Sequence, residues 1–454
     1  MFDEHVLQYA EGGESGECEL VVGLDFGTSA SKVVVQAPDL LGGQAFAVDF
    51  GEAAHSSMPY LLPTRLWVSP DGTCSLVPRD GAQLVNDIKL ELFASEYHLY
   101  STRGPIGRNL NPEAAAVAYL ALLLRYARGW FLKSKRDVIG HFQKLVWSMN
   151  LGVPSPCVED NEENRRFRRV GKAAWMLSVM EGGDVTIGTA QDELRHIIEA
   201  PEYWERDDDG TTCDFEIIPE IAAGAAGYAL SVLRREGIHL MIDVGASTVD
   251  VCSFVLHERE GTDRYDLLTA DVQQLGTIRL HHERILAIQR VHEAQAQSLR
   301  DEHDPLAPMS TVVDSYLPPR DKVVEEVNSA EAALQRRCRL MLRRVIRDLR
   351  TRRAPADPTW QGARRLPILL IGGGTRLEFF ADLGRWGDGT RVVPVPVPQN
   401  LGSEVTDFDR LAVAWGLSHR ALDVGEITPA DQIEDAEPLA KRHWEDAYVS
   451  KDQV

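Results

Sequence analysis

The stretch Leu20–Gln36, LVVGLDFGTSASKVVVQ, leaves few ways for this chain to fold. An apolar run enters at Leu20 and halts at Gly23-Leu24-Asp25-Phe26-Gly27-Thr28-Ser29. A second, β-branched run, Val33 to Val35, then leaves. Two strand-like runs joined by a glycine-bearing polar turn predict a β-hairpin. Its tip carries one carboxylate (Asp25), Gly27 without a Cβ, the hydroxyls of Thr28 and Ser29, and Lys32. Successive backbone N–H groups with hydroxyls beside them form a concavity suited to phosphate oxygens. Asp25 has the charge of a phosphate, so its expected role is to hold Mg²⁺ through water. The competing reading is an ordinary Asp-x-Gly turn.

The same logic returns at His239–Val255, HLMIDVGASTVDVCSFV, where an apolar run meets Asp243-Val244-Gly245-Ala246-Ser247-Thr248 and another apolar run departs. Asp243 follows Asp25 by 218 residues (243 − 25 = 218), about one domain's worth, in a chain of 454 residues. Two phosphate-type hairpins a domain apart predict a duplicated α/β fold of two lobes with a nucleotide cleft between them. A third glycine loop lies in LPILLIGGGTRLEFFADL (366–383). Gly372, Gly373 and Gly374 there separate a buried strand from a helix and let a ligand come close. It is not a GxGxxG dinucleotide fingerprint.

Between these landmarks, residues 58–77 read as strand, Asp71-Gly72 turn, strand. Asn111-Pro112-Glu113 starts a helix through about Lys133, with a cap, a proline at the first position and an early acid, and that helix is expected to be half buried. Leu145–Val153 reads as a central strand and Arg165–Val179 as a helix. Residues 180–215 are polar and acid-rich, an inserted loop or small elaboration. Residues 215–233 read as a strand running into an alanine-rich helix, with Glu220 at the junction. Ala330–Arg353 forms an amphipathic helix on Leu334, Cys338, Leu342, Val345 or Ile346, and Leu349, with nine arginines on its other faces. Those arginines fit either a solvated face or a contact with an acidic partner or nucleotide.

Net charge of −21 argues against a nucleic-acid or anionic-membrane partner. The six cysteines are scattered without a CxxC pair, which fits neither a zinc cluster nor a disulfide framework. There is no signal-peptide pattern at the N-terminus, and the most apolar helix-like run, Ala114–Leu124, is too short to span a bilayer. A cytoplasmic protein is expected.

These motifs in this order resemble the actin-like ATPase superfamily, and within it the nucleotide-binding domain of the 70-kDa heat-shock chaperone family. GLDFGTSASK is similar to that family's first phosphate motif, MIDVGASTVDV to its second and LLIGGGTR to its adenosine motif. NDIKLEL resembles the segment of the catalytic lysine, FEIIPEIAAGAAGYA the joint bearing the family's glutamate, and LAVAWGLS its last core helix. The likeness spans roughly residues 18–422. It implies ATP or ADP with Mg²⁺ as cofactors, and slow Mg-dependent hydrolysis of ATP. Asp25 and Asp243 would order the waters around Mg²⁺. Gly27, Thr28 and Ser29, with Gly245, Ala246, Ser247 and the catalytic Thr248, would bracket the phosphates. Lys89 would neutralise the γ-phosphate, Glu220 would order the attacking water, and Gly372, Gly373, Gly374 and Arg376 would line the adenosine. Otherwise Lys89 is an ordinary surface lysine and Glu220 a helix N-terminal acid.

The implied layout is a leader (1–17), lobe I (18–235) with insertions at about 50–143 and 180–215, lobe II (236–425) with an insertion at about 277–335, and an acidic tail (426–454). Departures are Ala246 and Ser247 where the family has glycines, and Thr277-Ile278-Arg279 where it has an acidic run. No peptide-binding domain follows. The expected function is therefore a chaperone-like ATPase whose lobe closure is read by an unidentified protein partner. The alternatives are a filament-forming actin-like ATPase, a nucleotide-binding pseudo-ATPase, and a small-molecule kinase, for which no sugar-binding constellation is evident. The sequence leaves the oligomeric state open.

Overall fold

Leu20, Val21, Val22 and Leu24 are all buried, as an unbroken apolar run requires of a strand covered on both faces. They lie on β1 (Glu14–Asp25) in a computed structural model that describes residues 14–435, except 41, 55–57, 93–109, 140–141, 155–161, 181–182, 206–211, 291–292, 295, 298–323, 362–364, 384–388, 403–404 and 406–407. β1 pairs antiparallel with β2 (Ala30–Gln36), which in turn pairs with β3 (Ala45–Ala47) and β4 (Leu62–Pro63). A small sheet of β5 (Leu66–Val68), β6 (Cys74–Ser75) and β7 (Gln83–Val85) includes the predicted Asp71-Gly72 turn. On its other side β1 runs parallel to β8 (Phe142–Val153), and β8 to β9 (Asp214–Pro219). The order is β3-β2-β1-β8-β9.

A second sheet repeats this plan. β10 (Gly237–Val244) is antiparallel to β11 (Val249–Arg259), which is antiparallel to β12 (Thr262–Gln273). β13 (Leu366–Ile371) lies parallel to β10, and β14 (Thr390–Val393) parallel to β13. The resulting order, β12-β11-β10-β13-β14, matches the first sheet strand for strand, with β15 (Glu426–Thr428) added along β12. The chain is thus α/β, with two mixed sheets of one topology.

The helices cover these sheets. In α1 (Pro112–Ser134) the Asn111 side chain accepts from the backbone N–H of Glu113 and Ala114, as the cap signal predicted. Every residue from Ala114 to Leu132 is buried, more than the half-burial expected. The reason is that the short α2 (Arg136–Ile139) is followed, after β8, by α3 (Glu162–Val179) and α4 (Ile187–Glu199), and α3 and α4 close over the face of α1 turned from the sheet. By length and composition α1 could cross a membrane, but 94% of its apolar window is buried inside the protein. Arg125 and Arg128 are tolerated there because they donate to the carbonyls that end α3, Leu177 and Ser178.

Two expected boundaries shift, and the 180–215 segment takes the second of its two expected forms, a small elaboration. The segment 180–215 is not simply a loop: α4 opens on a Thr186–Thr189 capping box and buries Ile187, Ala190, Leu194 and Ile197, and the short α5 (Glu202–Glu205) follows. Composition pointed to a loop because most polar residues of α4 face solvent, Glu193 being the buried exception. The leader ends earlier than residue 17, because β1 begins at Glu14. The tail starts later than 426, because β15 joins the second sheet and Arg353 donates to the carbonyls of Ala430 and Ile433. Residues 1–13 and 436–454 lie outside the described residues.

The longer helices that remain are α6 (Glu220–Ala229), α7 (Thr277–Gln289), α8 (Val324–Asp348) and α9 (Phe408–Leu417). α6 and α9 cross between the two sheets with almost no side chain between them. A Cβ on Gly416 would lie 1.9 Å from the Ala223 carbonyl oxygen, and one on Gly23 would lie 2.3 Å from that of Ala414. Both obstacles are backbone, so neither can step aside. Gly416→Ala is expected to cost about 2 kcal/mol by overpacking, read as a lower melting temperature in thermal denaturation. A melt unchanged from the wild type would show that the helices separate freely.

Candidate functional site

β1 and β10 end on one cleft, of about 140 Å³, so the two hairpin turns that lie far apart in sequence both line it. Asp25, Gly27, Thr28 and Ser29 come from the first turn. Asp243, Gly245, Ala246, Ser247 and Thr248 come from the second. Lys89, Glu220 and Gly372 to Gly374 complete most of the predicted set around them.

Each turn is clamped by a backbone partner. Thr64, just after β4, donates through its hydroxyl to the Gly27 carbonyl at 2.7 Å and through its N–H to that of Ser29 at 3.0 Å. The second turn is tied to the start of α7. The N–H groups of Gly276, Thr277 and Ile278 donate to the carbonyls of Ser247, Gly245 and Ala246. Gly276 is needed for that approach, since a Cβ there would meet the Ala246 oxygen at 2.5 Å. Thr277 and Ile278, read in the sequence only as a departure, thus brace the turn, and Thr277 lines the cleft.

In both hairpins the residue seven positions on sits directly across the ladder. Asp25 faces Lys32, and their side chains form an ion pair at 2.9 Å. Asp243 faces Asp250, a second carboxylate. The register is shared, but the charges are opposite in sense. Burial pushes the Asp243 carboxyl up to about 8, with Asp250, Glu220 and Asp25 adding repulsion. Burial and Glu220 push Asp250 up to about 7, against the Thr248 hydroxyl and Lys89, which favour its charged form. One oxygen of Asp250 is buried with no hydrogen-bond partner among the described residues. The cleft therefore holds more carboxylate than its two lysines neutralise.

Lys89 reaches the cleft from a constrained turn. Asp87 just before it has φ of 59°, the left-handed region that non-glycine residues rarely occupy. The helical turn Leu90–Leu92 after it is fully buried. Its ammonium pairs with Glu220 at 2.7 Å across 131 residues. Burial alone pulls Lys89 down. The carboxylates of Glu220, Asp25 and Asp250 outweigh that, so it stays protonated above its usual value. Glu220 is the first residue of α6, placed there by Pro219 at the end of β9.

β13 brings the third loop alongside, with Ile371 in register with Asp243. Gly372 has φ of +88°, and a Cβ there would lie 2.1 Å from an Asp243 carboxylate oxygen, so only glycine lets the backbone fold against it. Arg376 is the predicted residue that does not line the cleft. Its guanidinium is gripped in two-pronged fashion by Asp409 at 2.7 and 2.5 Å. Asp409 and Arg410, from the start of α9, line the cleft instead. No local signal marks these two in the chain, because α9 reaches the cleft through its crossing with α6. Lys32 and Asp250 did have a signal, the seven-residue spacing, once an antiparallel register is assumed. Among the described residues no three His, Cys, Asp or Glu side chains are grouped to hold a metal directly.

The chain matches no protein-family model and no curated protein.

The raised carboxyls set a pH dependence for the ligand-free protein. Between the unfolded pKa near 4 and the folded values near 7 and 8, the folded state binds the extra protons, so stability falls as pH rises through that window. Asp243→Asn is expected to raise stability at pH 8 by roughly 1 to 5 kcal/mol, the upper figure if the whole rise is relieved, and to leave it nearly unchanged at pH 4. Denaturant titrations at the two pH values check this. An equal effect at both would contradict the assignment.

Proposed function

We propose that this protein is a chaperone-like ATPase of duplicated actin-like architecture, binding Mg-ATP or Mg-ADP between its two lobes. The observation that carries the reading is the convergence of the Asp25 and Asp243 turns, 218 residues apart, on one cleft. The donor set fits the ligand. Glycines 27, 372 and 374 keep the walls at backbone distance, since a Cβ on each would meet protein atoms within 2.5 Å. The surplus of carboxylates would be relieved by a divalent cation, and the hydroxyls of Thr28, Ser29, Ser247 and Thr248 face phosphate.

In this reading Asp25 and Asp243 would hold Mg²⁺ through its water shell, where it would supply charge neutralisation at the phosphates. Lys89 supports the charge that develops as the terminal phosphoryl group leaves, with the water aligned by Glu220 beside it. Positioning and charge neutralisation account for the catalysis, as expected for phosphoryl transfer. Adenosine would lie along Gly372, Gly373 and Gly374. The Arg376–Asp409 pair sits behind that wall, with only Asp409 of the two reaching the cleft. Closure about the α6–α9 crossing would change the lobe angle and be read by a protein partner. The five described cysteines are buried and none is in a disulfide among the described residues, which suits the cytoplasm.

One specific observation favours a second reading, a nucleotide switch without turnover. Ala246 and Ser247 put side chains into the cleft where the resembling family has glycines.

Calorimetry of the intact chain with Mg-ATP tests the site. Binding is expected, and Asp25→Ala combined with Asp243→Ala should abolish it; unaltered affinity in that double variant would sink the proposal. Lys89→Ala should slow single-turnover hydrolysis by about 100-fold or more while leaving nucleotide affinity within about tenfold. Tight binding with no turnover in the wild type would establish the switch instead.

A further inference from the structure

The arginines of α8 have no part in the cleft, and the fold settles how they are presented. Leu334, Cys338, Met341, Leu342, Val345 and Leu349 are buried, which fixes the helix's rotation. Opposite them Arg336, Leu340, Arg343 and Arg347 stand exposed at spacings of four, three and four residues, one ridge about 16 Å long.

Some of the arginines have structural work. Arg344 pairs with Asp271, Arg352 with Asp348, and Arg353 with Asp435 and nearby carbonyls, while Arg339 is also engaged. The guanidinium groups of Arg336, Arg337, Arg343, Arg347 and Arg350 have neither an ion pair nor a hydrogen bond among the described residues. Like charges three and four residues apart weaken a helix, and a face that needed only solvation would mix signs. The concentration is also against the composition, since the chain has 69 acidic residues to 48 lysines and arginines. α8 contains no lysine. The guanidinium is the cation that grips carboxylates two-pronged.

Leu340 decides the kind of partner. It is 59% exposed in the middle of the ridge, an apolar centre with a charged rim. A phosphate backbone offers nothing to a leucine, and its dense charge would also meet the repulsion of a chain at −21. We propose that this ridge of α8 docks an acidic segment of a partner protein that carries an apolar residue among its carboxylates. The surface belongs to the second lobe's outer helix and does not depend on the nucleotide reading.

The test uses the intact chain and three fluorescein-labelled probes: a peptide of repeated Glu-Glu-Leu, an all-glutamate peptide of equal length, and a single-stranded oligothymidine. Anisotropy should show saturable, salt-weakened binding of the Glu-Glu-Leu peptide, tighter than that of the oligonucleotide. Arg336→Glu, Arg343→Glu and Arg347→Glu together should weaken it about tenfold or more. Leu340→Ser should weaken the leucine-bearing peptide about fivefold and leave the all-glutamate peptide unchanged. Should the triple variant not fold, judged by circular dichroism, Arg343→Gln with Arg347→Gln is read in its place. No saturable binding, preference for the oligonucleotide, or affinity indifferent to a folded variant would each overturn the proposal.

Discussion

The cleft depends on how closely α6 and α9 cross. Gly416 lies against the Ala223 carbonyl, and Gly224, next to Ala223 on α6, packs closely on the side-chain ends of Ile371 and Met241. That crossing brings the end of β9 and the start of α9 to one place. Glu220 and Asp409 therefore arrive from opposite sides of the same opening. Polar links around α9 hold it against the first sheet. Asn150 donates to the carbonyls of Leu417 and His419 at 2.8 and 2.7 Å, and Ser418 donates to Gln36. The end of a helix of the second half is in this way bonded to two strands of the first, β8 and β2.

The charges set the second constraint. The two hairpins share a register but not a charge pattern: an Asp–Lys pair in one turn, two aspartates in the other. Burial and repulsion from neighbouring carboxylates make the second pair take up protons, and its carboxyls rise toward neutrality. A site under that strain costs stability, and proteins keep such sites where a ligand relieves them. The Lys89–Glu220 pair is the counterweight. It joins the strained turn before Leu90–Leu92 to the head of α6 and keeps one ammonium in place among the carboxylates of the cleft.

Much of the fold was legible in the chain itself. β1, β2, β8, β10, β11 and β13 follow their apolar runs, and α1 and α3 begin near their predicted starts. The buried face of α8 is the one its periodicity named. The misread segments have a common cause. Residues 187–199 and 426–428 are polar by composition, but a few spaced apolar residues, or a free sheet edge, suffice to order them. Composition averages over such residues and so does not register them.

The sequence alone determined which residues could form each turn, because a hairpin is local: its register follows from the turn, and Asp25 and Asp243 must stand where they do. Only the tertiary structure decided that the two turns share one cleft, that Asp409 and Arg410 reach it while Arg376 is held back, and which arginines of α8 are left bare. Those outcomes rest on contacts between residues hundreds of positions apart. Such contacts depend on the depth of packing at a glycine crossing, and no local pattern in the chain encodes that depth.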